Sequence, residues 1–272
     1  MKQSFCIPCF RQTGQTLDEL FRTAREIGYS ATEIWRPENL DDASRPREAG
    51  APGKESLEEI CELARSAGLN VASFTGHDSI DDGFNDPSHW DRIESELAVS
   101  IDRASRLRIP GIIVFSGTRR PGLSDCFGLA HFVTMARRIM PHAEARGVNL
   151  NLEILNSRCD HPRYMADTVD WAVAACAAVN SPRMKLLFDV YHVQIMEGDL
   201  IRGLRRAAPY LGHVHTAGVP GRHELDDDQE INYRAIGREL TRLGYDGYVG
   251  HELFAKGDRM AALRGAYEVM LG

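Results

Sequence analysis

No stretch of this 272-residue sequence approaches the roughly 18 consecutive apolar residues that a membrane-spanning helix requires, so no membrane partner is expected. The opening residues MKQSFCIPCFRQ carry neither a long apolar run nor a small-residue cleavage pattern, and no secretory signal is expected there. Positive charge is in deficit, with 32 Lys and Arg against 39 Asp and Glu and a formal net charge of −7. A phosphate backbone is normally met by a basic face, so no nucleic-acid partner is expected either. Cysteine is sparse and scattered: Cys6, Cys9, Cys61, Cys126, Cys159 and Cys176. A chain of this size needs no covalent staples, which points to reduced thiols and a cytoplasmic protein. Cys6 and Cys9 form a C-x-x-C, but no second pair follows, and both read as structural thiols. There is also no G-x-G-x-x-G turn, which argues against an open doubly wound sheet.

What the sequence has instead is one phrase repeated eight times. A short β-rich run leads into a polar loop, an amphipathic stretch and a Gly or Pro turn. The predicted strands are 4–10, 31–35, 69–75, 110–116, 148–154, 184–190, 211–217 and 246–253. Between them, apolar residues recur at helical spacing, as in Leu17, Leu20, Phe21, Ala24 and Ile27. Gly28, Gly68, Gly147 and Gly244 stop helices just before strands, and Thr16 and Ser56 are suited to cap them. Eight β-α units over this length predict an α/β fold, a (β/α)8 TIM barrel forming a single domain over residues 1–272. Functional side chains are then expected at the C-terminal strand ends, pointing inward.

Side chains alternate along a strand, so that expectation can be read residue by residue. In VNLNLEI, Leu150, Leu152 and Ile154 suit burial under helices, leaving Asn149, Asn151 and Glu153 inward. In MKLLFDV, Leu186, Phe188 and Val190 pack outward and Asp189 faces in. LGHVHTA places His213 and His215 inward, and YVGHELF does the same for Tyr248, Gly250 and Glu252. Four consecutive strands thus present Glu153, Asp189, His215 and Glu252 at one height. Three buried carboxylates facing one another would be costly and mutually repulsive, and one divalent cation resolves both problems. Oxygen-rich ligation with a single imidazole suits Mn²⁺ or Mg²⁺, with Co²⁺ also able to fit.

The segments NLEILNSRCDHP, KLLFDVYHVQIMEGD, GHVHTAGVPGRHELDDDQEINY and GYDGYVGHELF carry a family pattern, with TEIW and SFTGH as shorter pieces. The chain resembles the xylose isomerase-like TIM-barrel superfamily, in its hydroxypyruvate isomerase-like branch of sugar isomerases and epimerases. That resemblance implies a metal held by Glu153, Asp189, His215 and Glu252, with Glu153 and Glu252 also moving protons. It further implies that His192 and Arg222 contact substrate, and that the protein is a homo-oligomer, a dimer or tetramer. Glutamine often replaces His215 in hydroxypyruvate isomerases, whereas histidine is typical of related ketose epimerases, so the substrate stays open. Trp35 and His77 end strands two and three and are expected to line the mouth. Asn156 is expected to orient Glu153 or bind substrate, Glu224 to hold Arg222 or His223, and His213 to be an interior polar group.

The expected chemistry is isomerisation of a small hydroxy-carbonyl compound, hydroxypyruvate-like or a short sugar or keto-acid, through a cis-enediolate. Chelation by a carbonyl and its adjacent hydroxyl acidifies the neighbouring C–H, and carboxylates on two sides can remove and return the proton. The same abstraction serves a ketose 3-epimerase, or a sugar lyase or deglycosidase. A non-catalytic sugar-binding protein would not need two poised glutamates. An apurinic-site endonuclease needs further ligands, and GIIVFSGT in strand four supplies none.

Overall fold

The computed structural model describes residues 1–36 and 55–271. The elements in chain order are β1 (Lys2–Phe5), α1 (Ile7–Phe10), α2 (Leu17–Ile27), β2 (Ala31–Ile34), α3 (Leu57–Ser66), β3 (Asn70–Phe74), α4 (Trp90–Leu107), β4 (Gly111–Val114), α5 (Asp125–Arg146), β5 (Asn149–Glu153), α6 (Val169–Val179), β6 (Met184–Asp189), α7 (Val190–Met196), α8 (Leu200–Ala207), β7 (Leu211–Thr216), α9 (Tyr233–Arg242), β8 (Tyr248–His251) and α10 (Arg259–Val269). Every strand expected from the sequence is present, but the first is displaced. It covers Lys2–Phe5, and Ile7–Phe10 form a helical turn instead of its continuation. Pro8 explains the difference: it has no N–H for a ladder, and its fixed φ suits a first helical turn.

The chain divides into two compact units, Met1–Phe74 with His215–Gly272, and Thr75–Val214. In the first unit β1 pairs in parallel with β8, Ser4 opposite Gly250 and Phe5 opposite His251. The end of β7 neighbours β8, and the Glu252 N–H donates to the Thr216 carbonyl at 3.0 Å. β2 pairs in parallel with β3. Helices α2 and α3 both start in capping boxes, Thr16 with Glu19 and Ser56 with Glu59, so two otherwise orphaned N–H groups are satisfied at each end. The α2 stripe of Leu17, Leu20, Phe21 and Ala24 is buried, and Phe21 meets Phe5 edge-on at 6.5 Å. Phe21→Ala is expected to destabilise the protein by about 3–5 kcal/mol, read as a lower urea midpoint. A change under about 1 kcal/mol would show that this stripe does not anchor the helix.

In the second unit β4, β5 and β6 form a parallel ladder in that order, with the first part of β7 beyond β6. Glu153 lies opposite Leu187, so Asp189, two residues on, shares the Glu153 face. The other face carries Leu150, Leu152, Leu186 and Phe188, all fully buried. The glycines at 28, 68, 147 and 244 all take positive φ just after a helix. At Gly28 a Cβ would also fall 2.4 Å from the Tyr267 hydroxyl oxygen, so a side chain there would strain the backbone and displace that ring. All six cysteines are free, Cys6 and Cys9 among them and both buried. Among the described residues, no helix is long and apolar enough to cross a membrane.

Candidate functional site

In the first unit, alternation along β8 separates two buried environments. His251 points toward the helices, its ring edge-on to Tyr29 at 5.7 Å, with Thr216 Oγ1 at 2.7 Å and Gln3 Oε1 at 2.9 Å. Burial pushes its pKa down to about 3, so it is a neutral packing group and not a site residue. Gly250 and Glu252 take the opposite face. The Glu252 carboxylate is buried and fully engaged: Trp35 Nε1 donates to Oε1 at 2.5 Å, and Arg222 Nη2 donates to Oε2 at 2.5 Å. Burial alone would raise its pKa, but the Arg222 and His215 charges outweigh burial and bring it down to about 2.

His215 is pinned on both ring nitrogens. Nδ1 stands 3.3 Å from Glu252 Oε2, and Nε2 stands 2.9 Å from Glu33 Oε2. Glu33 is the residue that strand alternation could have located and that the sequence reading passed over. It sits in the TEIW segment with the same parity as Trp35, and a carboxylate amid buried apolar residues is itself a signal. Cys6, Glu33 and His215 form a second donor group within 4.8 Å. Burial holds the Cys6 thiol well above its ordinary pKa, which makes it a poor ligand beside a carboxylate.

Arg222 owes its reach to its backbone. It sits at φ 60° after Val219, Pro220 and Gly221, its N–H donating to Gly218 and its carbonyl accepting from Phe254 N–H at 2.8 Å. Its guanidinium lies 5.8 Å from the Phe254 ring centroid, and Trp35 meets the same ring edge-on at 6.2 Å. Glu224 holds neither Arg222 nor His223, contrary to the expectation from the sequence. It accepts the Lys256 N–H at 2.8 Å, while His223 Nδ1 meets the Phe254 carbonyl at 2.7 Å. Both groups therefore tie the loop after β7 to the loop after β8.

In the second unit, Asp189 ends β6 and caps α7 in one residue. Its Oδ1 accepts the His192 N–H at 3.0 Å, while Oδ2 stands 3.8 Å from His192 Nε2. The tight strand-to-helix turn thus presents Asp189 and His192 together. His192 is fully buried, and its Nδ1 accepts the Asn156 N–H at 3.1 Å, with the Asn156 amide nitrogen at 2.6 Å. An Nδ1 that accepts leaves the ring proton on Nε2, the nitrogen on the Asp189 side. Asn156 also ties down the loop after β5, through Cys159 N–H, Asp160 N–H and the Asp160 carboxylate. Its contacts thus fall on His192 and that loop. The His161 ring lies 5.3 Å from that of His192. Glu153 is buried at the end of β5, and its carbonyl accepts from the Tyr164 hydroxyl at 3.0 Å. His77 is buried against Phe84 and Phe115, and its Nε2 accepts the Phe115 N–H at 3.0 Å. His213 is buried, as expected of an interior polar group.

A family model described as a xylose isomerase-like TIM barrel matches residues 21–271. A Cupriavidus necator protein named 2-oxo-tetronate isomerase is 40% identical over 121 residues, 44% of this chain and 46% of that protein. The match thus spans about half the length of that relative. A Xenopus laevis protein assigned provisionally as a hydroxypyruvate isomerase is 39% identical over 184 residues, 65% of this chain and 66% of that protein. Among solved structures, a family 2 AP endonuclease from Brucella melitensis superposes with a TM-score of 0.81 at 24% identity, covering 97% of each chain. At that identity the likeness speaks for the fold, and the fold is the TIM barrel that the eight β-α phrases predict.

Proposed function

The chain belongs to the xylose isomerase-like TIM-barrel family, and we propose that it is a single-domain, divalent-metal-dependent isomerase of a small hydroxy-carbonyl compound. Glu153, Asp189, His215 and Glu252 are the proposed ligands of one Mn²⁺ or Mg²⁺, with Co²⁺ able to replace it. The observation that carries this reading is His215 held between two buried carboxylates, Glu33 on Nε2 and Glu252 on Nδ1. An ion bound there would take the Nδ1 position that faces Glu252, displacing the ring's second proton while Nε2–H stays on Glu33, so that a nitrogen and a carboxylate oxygen 3.3 Å apart become neighbouring donors. Glu153 and Asp189 are buried strand-end carboxylates as well, oxygen donors of the kind that Mn²⁺ and Mg²⁺ prefer.

When bound, such an ion would supply Lewis-acid polarisation of a carbonyl chelated with its adjacent hydroxyl. The residues do the rest. Glu153 and Glu252 remove a proton beside the carbonyl and return it, to the neighbouring carbon for isomerisation. His192, whose Nδ1 is occupied by Asn156, offers an Nε2 proton to a substrate oxygen. Arg222 presents a planar fork to a carboxylate or hydroxyl, which suits the keto-acid that the name 2-oxo-tetronate isomerase gives to one relative. Trp35 and His77 are proposed to contact substrate at the mouth. The presence of His215 favours a second reading, a ketose 3-epimerase that returns the proton to the same carbon.

The test is a panel of short hydroxy-aldehydes, keto-acids and ketoses in deuterated water with Mn²⁺. Deuterium is expected at the carbon beside the carbonyl of the true substrate, and product analysis separates isomer from epimer. Tight binding of a sugar with no exchange anywhere in the panel would mark a binding protein. Arg222→Lys keeps the charge but loses the fork, so kcat/KM is expected to fall roughly ten- to a hundredfold at unchanged metal content. An unchanged kcat/KM would reduce Arg222 to a loop residue.

A further inference from the structure

We propose that Glu33 is a positioning residue that fixes His215 as a metal ligand, and that Gly250 is glycine to leave room for it. The proposal rests on the metal reading above and adds to it a residue outside the four ligands. Glu33 lies on β2, and its side chain is 2% exposed. Its Oε1 accepts from the Ser4 hydroxyl on β1, and its Oε2 stands 2.9 Å from His215 Nε2 on β7. An ionised carboxylate can only accept, so the His215 proton on this side belongs to Nε2. The ring is thereby held in a rotation that aims Nδ1 away from Glu33, toward Glu252, and that keeps the proton on Nε2 when Nδ1 takes a cation. A carboxylate behind an imidazole in this way also raises its basicity as a ligand.

Gly250 supplies an independent observation. A Cβ there would fall 2.1 Å from Glu33 Oε1 and 3.0 Å from His215 Cδ2. Gly250 lies opposite Ser4 in the β1–β8 register, so the room left by a missing side chain is filled by the Glu33 carboxylate. Its φ is not positive, so close approach and not backbone conformation accounts for glycine here. Three strands thus converge on one imidazole: Ser4 holds Glu33, Gly250 admits it, and Glu33 holds His215.

Titration of the wild-type protein with Mn²⁺ comes first and is expected to show one ion per chain. Glu33→Gln and, separately, Gly250→Ala are each expected to weaken Mn²⁺ binding about 10–100-fold, the usual effect of removing a group that orients a ligand. Nitrogen-15 NMR of wild-type His215, metal-free and with Mg²⁺, is expected to show a hydrogen-bonded proton on Nε2 that shifts in Glu33→Gln. A glutamate that packs beside the ring without accepting its proton would not move that resonance. A wild-type protein that binds no divalent ion overturns the metal reading, and the positioning role with it, before any variant is made. Wild-type affinity in both variants, a second ion bound per chain, or an Nε2 without a proton overturns the positioning role alone. The NMR measurement needs no variant, so it decides even if both substitutions prevent folding.

Discussion

Glu252→Gln and Glu153→Gln are each expected to lower kcat by about two to four decades, the usual worth of a general acid or base. Glutamine keeps an oxygen that can coordinate but has no basic carboxylate, so part of the metal affinity should survive. Asp189→Asn should differ in kind, losing activity mainly through weaker metal binding and regaining part of it at high Mn²⁺. Solvent deuterium exchange separates the roles of the two glutamates. A variant with one base left can still exchange a proton that it cannot relocate, and the variant that exchanges without isomerising retains the base for that substrate. The two sites are not equivalent to begin with. Glu252 is held ionised by Arg222 and His215, with Trp35 on its second oxygen. Near wild-type isomerisation by both Gln variants, with metal bound, would defeat the two-base mechanism and leave His192 or water to carry the proton.

Removal of the metal is expected to have an effect as large. EDTA should abolish turnover, and Mn²⁺, Mg²⁺ or Co²⁺ should restore it, because the proposed ion is the group that polarises the substrate carbonyl. Thermal stability should follow, since an ion bound only by the folded state stabilises it by mass action, about 2.7 kcal/mol at a hundredfold excess over Kd. The melting temperature should therefore rise with Mn²⁺ concentration. Undiminished activity in a demonstrably metal-free sample would end the metal-dependent reading.

Much of this is legible in the sequence, and the reason is periodicity. A strand turns alternate side chains to opposite faces, so Glu153 and Asp189 could be put on one face from VNLNLEI and MKLLFDV alone, and the β5–β6 register agrees. Helix starts and stops are equally local. Thr16 and Ser56 cap because the partner glutamate lies three residues on, and Gly28 and Gly147 stop helices because they accept positive φ. The first strand shows where local reading fails: MKQSFCIPCF is apolar enough for one long strand, yet Pro8 opens a helical turn inside it.

By itself, then, the sequence determined the eightfold β-α rhythm, the strand faces and the residue types available at the strand ends, because each follows from neighbours within a few positions. Only the tertiary structure decided which of those residues engage one another. Glu33 and His215 are 182 positions apart, and Trp35 and Glu252 are 217 apart. Nothing in their local sequence specifies such pairs; they arise when strands distant in sequence are brought together. The tertiary structure likewise gave one oxygen of Asp189 to a helix cap and tied Asn156 to His192. It also set Glu224 on Lys256 instead of Arg222. A side chain's chemistry is written at its own position, but its partner is chosen by the packing of the rest of the chain.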